Sequence, residues 1–204
     1  ALGAQVLCPD QVGFGLTQRP TLRLAAGLGR APVDVSEASA EALTPLQLYS
    51  LAGNALIAEA LLPEMGASKD PAVIVGHSMG AISASALALR AKSKEKPPVL
   101  ILESPAFLAK PEPETAKKKK RSGKVGPVTA LALRFQRTVL RLVLQLPGFT
   151  YNRRFWQRGL ALAYGGMDPS RLEDQVLRYR WPSLCEGWAL GLANFVTARL
   201  LVME

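Results

Sequence analysis

Only two cysteines and a single histidine occur in 204 residues. Cys8 and Cys185 lie far apart, so they give neither a disulfide framework nor a metal-ligand spacing. Both are expected to be buried free thiols. No short basic start followed by an apolar run opens the chain, so no signal peptide is expected. No apolar run is long and free of charge as a membrane span needs. The best stretch, 128–146, is broken by Arg134, Arg137 and Arg141, each costing about 2.5–3.5 kcal/mol at mid-bilayer. Internal repeats are absent, and no motif calls for a cofactor or a metal.

What is present is a globular composition, with 49% hydrophobic residues, enough for one sizeable core or a domain and part of another. The net charge of +9 is unevenly placed. Residues 1–106 hold 8 Lys or Arg against 9 Asp or Glu, and residues 107–204 hold 17 against 7. The basic character therefore belongs to the second half, which suggests two parts with different surfaces.

The first part reads as strands alternating with helices. Gln5 to Cys8 is a short apolar run, expected to be a buried strand, and Asp10 to Gly15 a turn. Residues 18–43 read as a surface excursion. Thr44-Pro45 is suited to start a helix that Pro63 to Gly66 stop. Pro71 to Val75 is β-branched and apolar without alternation, as in a parallel strand covered on both faces. A small-residue helix from Ala81 to Leu89 follows, then a second buried strand, Pro98 to Leu102. This order predicts an α/β fold with a parallel sheet.

Past Pro105 the character changes. Residues 107–126 form a basic stretch with almost no large apolar residues, expected to be a mobile loop. Residues 127–204 read as helices. The first begins at Pro127, with Arg134, Arg137 and Arg141 on one side. The second spans Asn152 to Tyr164, the third opens at Asp168-Pro169, and the fourth runs from Ser183 to Val202.

Between the first β-branched strand and the small-residue helix stands Gly76-His77-Ser78-Met79-Gly80. A serine hydroxyl is a poor nucleophile unless it is exposed, deprotonated by a base and faced by oxyanion donors. A tight strand-to-helix reversal holds Ser78 at its apex, and the flanking glycines let strand and helix pass closely. The Met79 N–H, at the helix N-terminus, is placed to stabilise an oxyanion. His77 is adjacent to Ser78 and points elsewhere, so it is expected to pack beside the site rather than act as base.

Val73 to Ala81 resembles the nucleophile elbow of the α/β-hydrolase superfamily, and Val6 to Thr17 resembles the segment after the preceding parallel strand in those proteins. The likeness covers residues 1–106. It implies a partial α/β-hydrolase sheet flanked by helices, Ser78 as nucleophile and Met79 as backbone oxyanion donor. Asp10 is similar to a structural turn residue, not the triad acid. Glu103, at a strand end where some members carry the acid, is a candidate for that role. Residues 127–204 would be the helical cap, and 164–201 resemble caps of plant and algal members related to bacterial carbon–carbon hydrolases. That likeness hints at an intracellular, plastid setting. The family places its histidine and acid on strands after the cap, so the chain is expected to be truncated at both ends and inactive alone.

The implied function is hydrolysis of an ester or lipid-like carbonyl through a serine. Serine at the elbow argues against epoxide hydrolases and haloalkane dehalogenases, which use aspartate there. Acyl transfer, carbon–carbon bond hydrolysis and a binding protein without catalysis stay open. The run Lys117, Lys118, Lys119, Lys120, Arg121 suggests contact with an anionic membrane surface. Nucleic acid is disfavoured, because aromatics do not interleave the run.

Overall fold

The computed structural model describes residues 4–19, 38–67, 71–91, 96–106, 126–146 and 152–201. The basic stretch at 107–125, with Lys117 to Arg121, and most of the excursion at 18–43 lie outside them. The chain divides into two compact units. The first comprises Ala1–Pro9, Ala25–Val125 and Ala198–Glu204, the second Asp10–Leu24 and Gly126–Thr197.

In the first unit helix α1 (Leu51–Glu64) precedes strand β1 (Val73–His77), helix α2 (Gly80–Ala91) and strand β2 (Val99–Glu103). The strands pair in parallel, with Val73 opposite Val99 and His77 opposite Glu103. Parallel neighbours need a crossover, and α2 supplies it. It packs against both strands, and α1 packs against α2. The Ser83 hydroxyl donates to the Leu51 carbonyl (2.8 Å), and Arg90 pairs with Glu59 (2.6 Å). Start is thus tied to start and end to end, so the two helices run in the same direction. Leu46, Tyr49, Leu51 and Leu56 are sealed in this unit's core.

Several expectations are corrected here. Thr44-Pro45 does not open the α-helix. Thr44 and Gln47 bond reciprocally (Gln47 N–H to Thr44 Oγ1, 3.3 Å; Thr44 N–H to Gln47 Oε1, 3.0 Å), a capping box on a single turn, closed by Leu48 N–H to the Thr44 carbonyl (3.0 Å), that leads into the 3₁₀ turn Gln47–Tyr49. Ser50 then turns extended and its Oγ accepts the Gly53 N–H (2.9 Å), starting α1. Pro63 sits inside the last turn of α1. The end comes at Gly66 (φ +69°), with Ala67 N–H returning to the Leu62 carbonyl (2.9 Å).

The sheet is not covered on both faces. Ile74 and Gly76 are buried on the side of β1 toward α2, whereas Val73 and Val75 are 50% and 62% exposed. Val99 and Ile101, their register partners, are exposed as well. Among the described residues no element packs on that face. Leu100, on the other face, is also exposed, so β2 is not the buried strand expected at Pro98 to Leu102. Nor is the run Gln5 to Cys8 a buried strand: no described strand pairs with it, Val6 is 85% exposed and Cys8 is exposed. Cys185 is only half-buried, so neither thiol is the buried one expected.

The second unit holds helices α3 (Pro127–Gln145), α4 (Arg153–Ala163), α5 (Glu173–Arg180) and α6 (Trp188–Leu201), the last turn of α6 counting with the first unit. Pro127 takes the first position of α3, where its missing N–H costs nothing. Asn152 caps α4. Asp168 caps the 3₁₀ turn Pro169–Leu172 that leads into α5. Leu160, Leu172 and Val176 form a buried cluster with Trp156 and Ala161 against it. The turn at 11–17 seats on α6. A Cβ on Gly191 would meet the Gly13 carbonyl oxygen at 2.7 Å, and Phe14 meets Phe195 edge to face at 4.8 Å.

Candidate active site

The turn between β1 and α2 is built around one strained residue. Ser78 has φ +50°, a left-handed conformation that costs a residue with a Cβ roughly 1–2 kcal/mol. Backbone hydrogen bonds hold it there. Its N–H donates to the Glu103 carbonyl (3.0 Å), and its own carbonyl accepts from Ala81 N–H (3.1 Å) and Ala106 N–H (3.1 Å). Two of the three partners lie on or just after β2, so the neighbouring strand holds the turn's shape.

The close approach of strand and helix depends on Gly76. A Cβ there would stand 2.6 Å from the Ala84 Cβ and 2.7 Å from the Ala81 Cα. Both distances are too short for any side chain. Ala81 and Ala84 are themselves buried. Gly80 differs from the expectation that both flanking glycines serve packing: a Cβ there would meet nothing within 4 Å.

Ser78 itself is half-buried and Met79 is 40% exposed. Among the described residues nothing accepts the Met79 N–H, and nothing hydrogen-bonds the Ser78 hydroxyl. A free backbone donor thus stands next to a free hydroxyl at the first turn of a helix, a suitable arrangement for acyl chemistry.

The other residues singled out from sequence fall as follows. His77 lies on the bare face of β1 with Val73 and Val75 and is exposed. No hydrogen bond joins it to Ser78 among the described residues. Glu103 stands opposite it in register. The Glu103 side chain is exposed and makes no bond to a described residue. Its backbone is what reaches the site, through the carbonyl that holds Ser78. Ser78, Met79 and Glu103 are therefore neighbours, but no serine–histidine–carboxylate chain forms among the described residues. Asp10 accepts the Leu16 N–H on Oδ2 (3.0 Å) within its own turn. Sequence reasoning missed Ser104, also left-handed at φ +43°. A serine after a strand carries no signal for such a backbone.

Among the described residues no three His, Cys, Asp or Glu side chains gather as a metal site. No helix among them is long and apolar enough to cross a membrane. In the second unit a hollow of about 420 Å³ is lined by Arg141, Gln145, Cys185, Glu186, Trp188 and neighbours. It shares no residue with the Ser78 turn.

A family model described as the alpha/beta hydrolase family matches residues 1–201. Neither a curated protein nor a solved structure matches the chain.

Proposed function

The chain belongs to the alpha/beta hydrolase family, and from that premise we propose that it is a serine-type hydrolase of ester or lipid-like substrates, with Ser78 as the nucleophile. The observation that carries this reading is the left-handed Ser78 between a parallel strand and the first turn of α2. Such strain persists only where its surroundings enforce it, and it is typical of functional positions.

In the proposed reaction the Ser78 Oγ attacks the substrate carbonyl carbon and a base accepts its proton. The carbonyl oxygen becomes an oxyanion, stabilised by the Met79 N–H and the first turn of α2. Collapse expels the alcohol, which takes the proton from the base. Water then attacks the acyl–Ser78 ester, releasing the acid and restoring the hydroxyl. His77 is the only histidine of residues 1–204 and lies on the wrong face to be that base, so the reading requires a base that these residues do not supply. Glu103, the candidate acid, is in register with His77 and shares that face, so its carboxylate is not assigned to the base and its part in the reading is the backbone carbonyl that holds Ser78. Helices α3 to α6 are read as the cap insertion.

The test is turnover of short and long acyl p-nitrophenyl esters by the protein as expressed in its own cells. Ser78→Ala is expected to lower kcat/KM by about 10³-fold or more, as loss of an activated nucleophile does. Hydrolysis unchanged by that substitution would remove Ser78 from the mechanism. An acyl ester formed with an added alcohol, in place of the free acid, would redirect the reading to acyl transfer.

A further inference from the structure

We propose that α3 is a membrane-surface helix, lying along an anionic lipid bilayer with its outer stripe in the headgroup and upper acyl region. The inference does not depend on Ser78.

Helix α3 has two opposed faces. Ala130, Leu133 and Leu144 are buried, and Arg137 between them bonds the buried Asn194 of α6 (3.4 Å). On the opposite side Val128, Leu131, Phe135, Val139, Leu142 and Leu146 follow one another at three- and four-residue steps. Every one is exposed, Val128 at 81%, Leu131 at 68% and Phe135 at 72%. Leu146 is the residue that caps the helix. The stripe therefore runs the full length of a 19-residue helix, roughly 28 Å. Water is a poor solvent for so long an unbroken apolar row. Beside it, Phe135, Val139, Val143 and Val196 line an apolar hollow of about 470 Å³.

Charge decides what covers the stripe. Arg134 and Arg141 are exposed along its flank. Between Glu114 and Asp168 the sequence has twelve Lys or Arg and no acidic residue. Two copies of this face brought together would set like charges against each other, which disfavours a dimer through α3. An apolar row flanked by arginines, on a segment without an acidic residue and with Glu186 beside Arg141 as the nearby carboxylate, fits an anionic bilayer surface, where the row inserts and the guanidinium groups meet lipid phosphates. The arginines also prevent α3 from crossing the bilayer, in keeping with the lack of a spanning helix among the described residues.

The test is co-sedimentation of the full chain with extruded vesicles, of phosphatidylcholine alone or with 30% phosphatidylserine as a roughly physiological anionic load. The proposal expects partitioning at least about tenfold higher on the anionic vesicles. Phe135→Asp with Leu142→Asp should lower it at least about tenfold, although Lys117 to Arg121 remain. Arg134→Gln and Arg141→Gln should each cost about fivefold on anionic vesicles and little on neutral ones. Circular dichroism checks that the helices persist; if the double aspartate variant unfolds, Leu131→Ser with Val139→Ser replaces it. No binding to anionic vesicles overturns the proposal, as does binding untouched by either stripe variant. A concentration-dependent dimer that the stripe variants dissociate, without vesicle binding, would assign the face to a second copy instead.

Discussion

The Ser78 N–H donates to the Glu103 carbonyl at 3.0 Å, tying a left-handed serine after β1 to the last residue of β2. The turn is thus a property of two strands at once. The Ala106 N–H closes the same loop from the far side of Ser104. These bonds fix the Ser78 backbone, and under the proposed function that reduces what must be ordered during reaction.

Strain at Ser78 has a measurable consequence. Ser78→Ala keeps a Cβ at φ +50°, whereas Ser78→Gly removes it. Glycine accepts this backbone without steric cost but loses more entropy on folding. The glycine variant is expected to be more stable than the alanine variant by about 1 kcal/mol. Urea midpoints compare them, and equal midpoints would mean that the turn stores no strain. Both variants lack the hydroxyl, so the gain in stability comes with loss of the proposed activity.

The two glycines of the turn should respond oppositely. Gly76→Ala forces a methyl onto Ala84 and Ala81, and overpacking of that kind costs about 1–3 kcal/mol. Gly80→Ala meets open space at the start of α2 and should be neutral or stabilising by up to about 1 kcal/mol. Thermal denaturation of the pair tests this. Equal losses would show that Gly80 is packed as tightly as Gly76.

Much of this turn was legible in the sequence because backbone demands left residue marks. Close approach requires glycine at 76, and the β-branched run Val73, Ile74 and Val75 suits a strand, of which only Ile74 is buried. The Glu103 contribution was not legible, since a backbone carbonyl works whatever side chain it carries. Thr44-Pro45 and Ser50 both suit a helix start; tertiary packing chose Ser50, leaving Thr44 to cap a single turn. The run at Gln5 to Cys8 has strand-like residues, but pairing is a property of neighbours, and no described strand lies beside it. The bare face of β1 was hidden for the same reason: a β-branched run reads alike whether one face is covered or two.

Helix α1 should depend on Ser50 more than on Thr44. The Ser50 Oγ accepts the Gly53 N–H and donates to the Gln47 carbonyl (2.8 Å) in a buried setting. Ser50→Ala is expected to cost about 1–2 kcal/mol, and Thr44→Ala less, because it caps a single turn rather than the 14-residue α1. Chemical denaturation of the two variants ranks them, and a larger loss for Thr44→Ala would reverse the assignment.

Asp168 gives a pH dependence of known sign. Its carboxyl is held below the usual range, chiefly by the Ser170 N–H (2.9 Å) and then by the Ser170 hydroxyl. A native pKa below the unfolded value of about 3.9 means the folded chain binds fewer protons at this site. Its contribution to stability is present above that value and lost as pH falls through the native pKa. Carbon-detected NMR titration should place the Asp168 midpoint below that of a free aspartate. Ser170→Ala should raise it part of the way, since the N–H remains. A midpoint at or above the free value would contradict the cap.

The most direct measurement is covalent labelling with a fluorophosphonate, using the protein as expressed in its cells and locating the adduct by peptide mass spectrometry. The account predicts phosphonylation on the Ser78 hydroxyl, with none on the Ser78→Ala protein. An unlabelled Ser78, or an adduct elsewhere that survives the substitution, would contradict it.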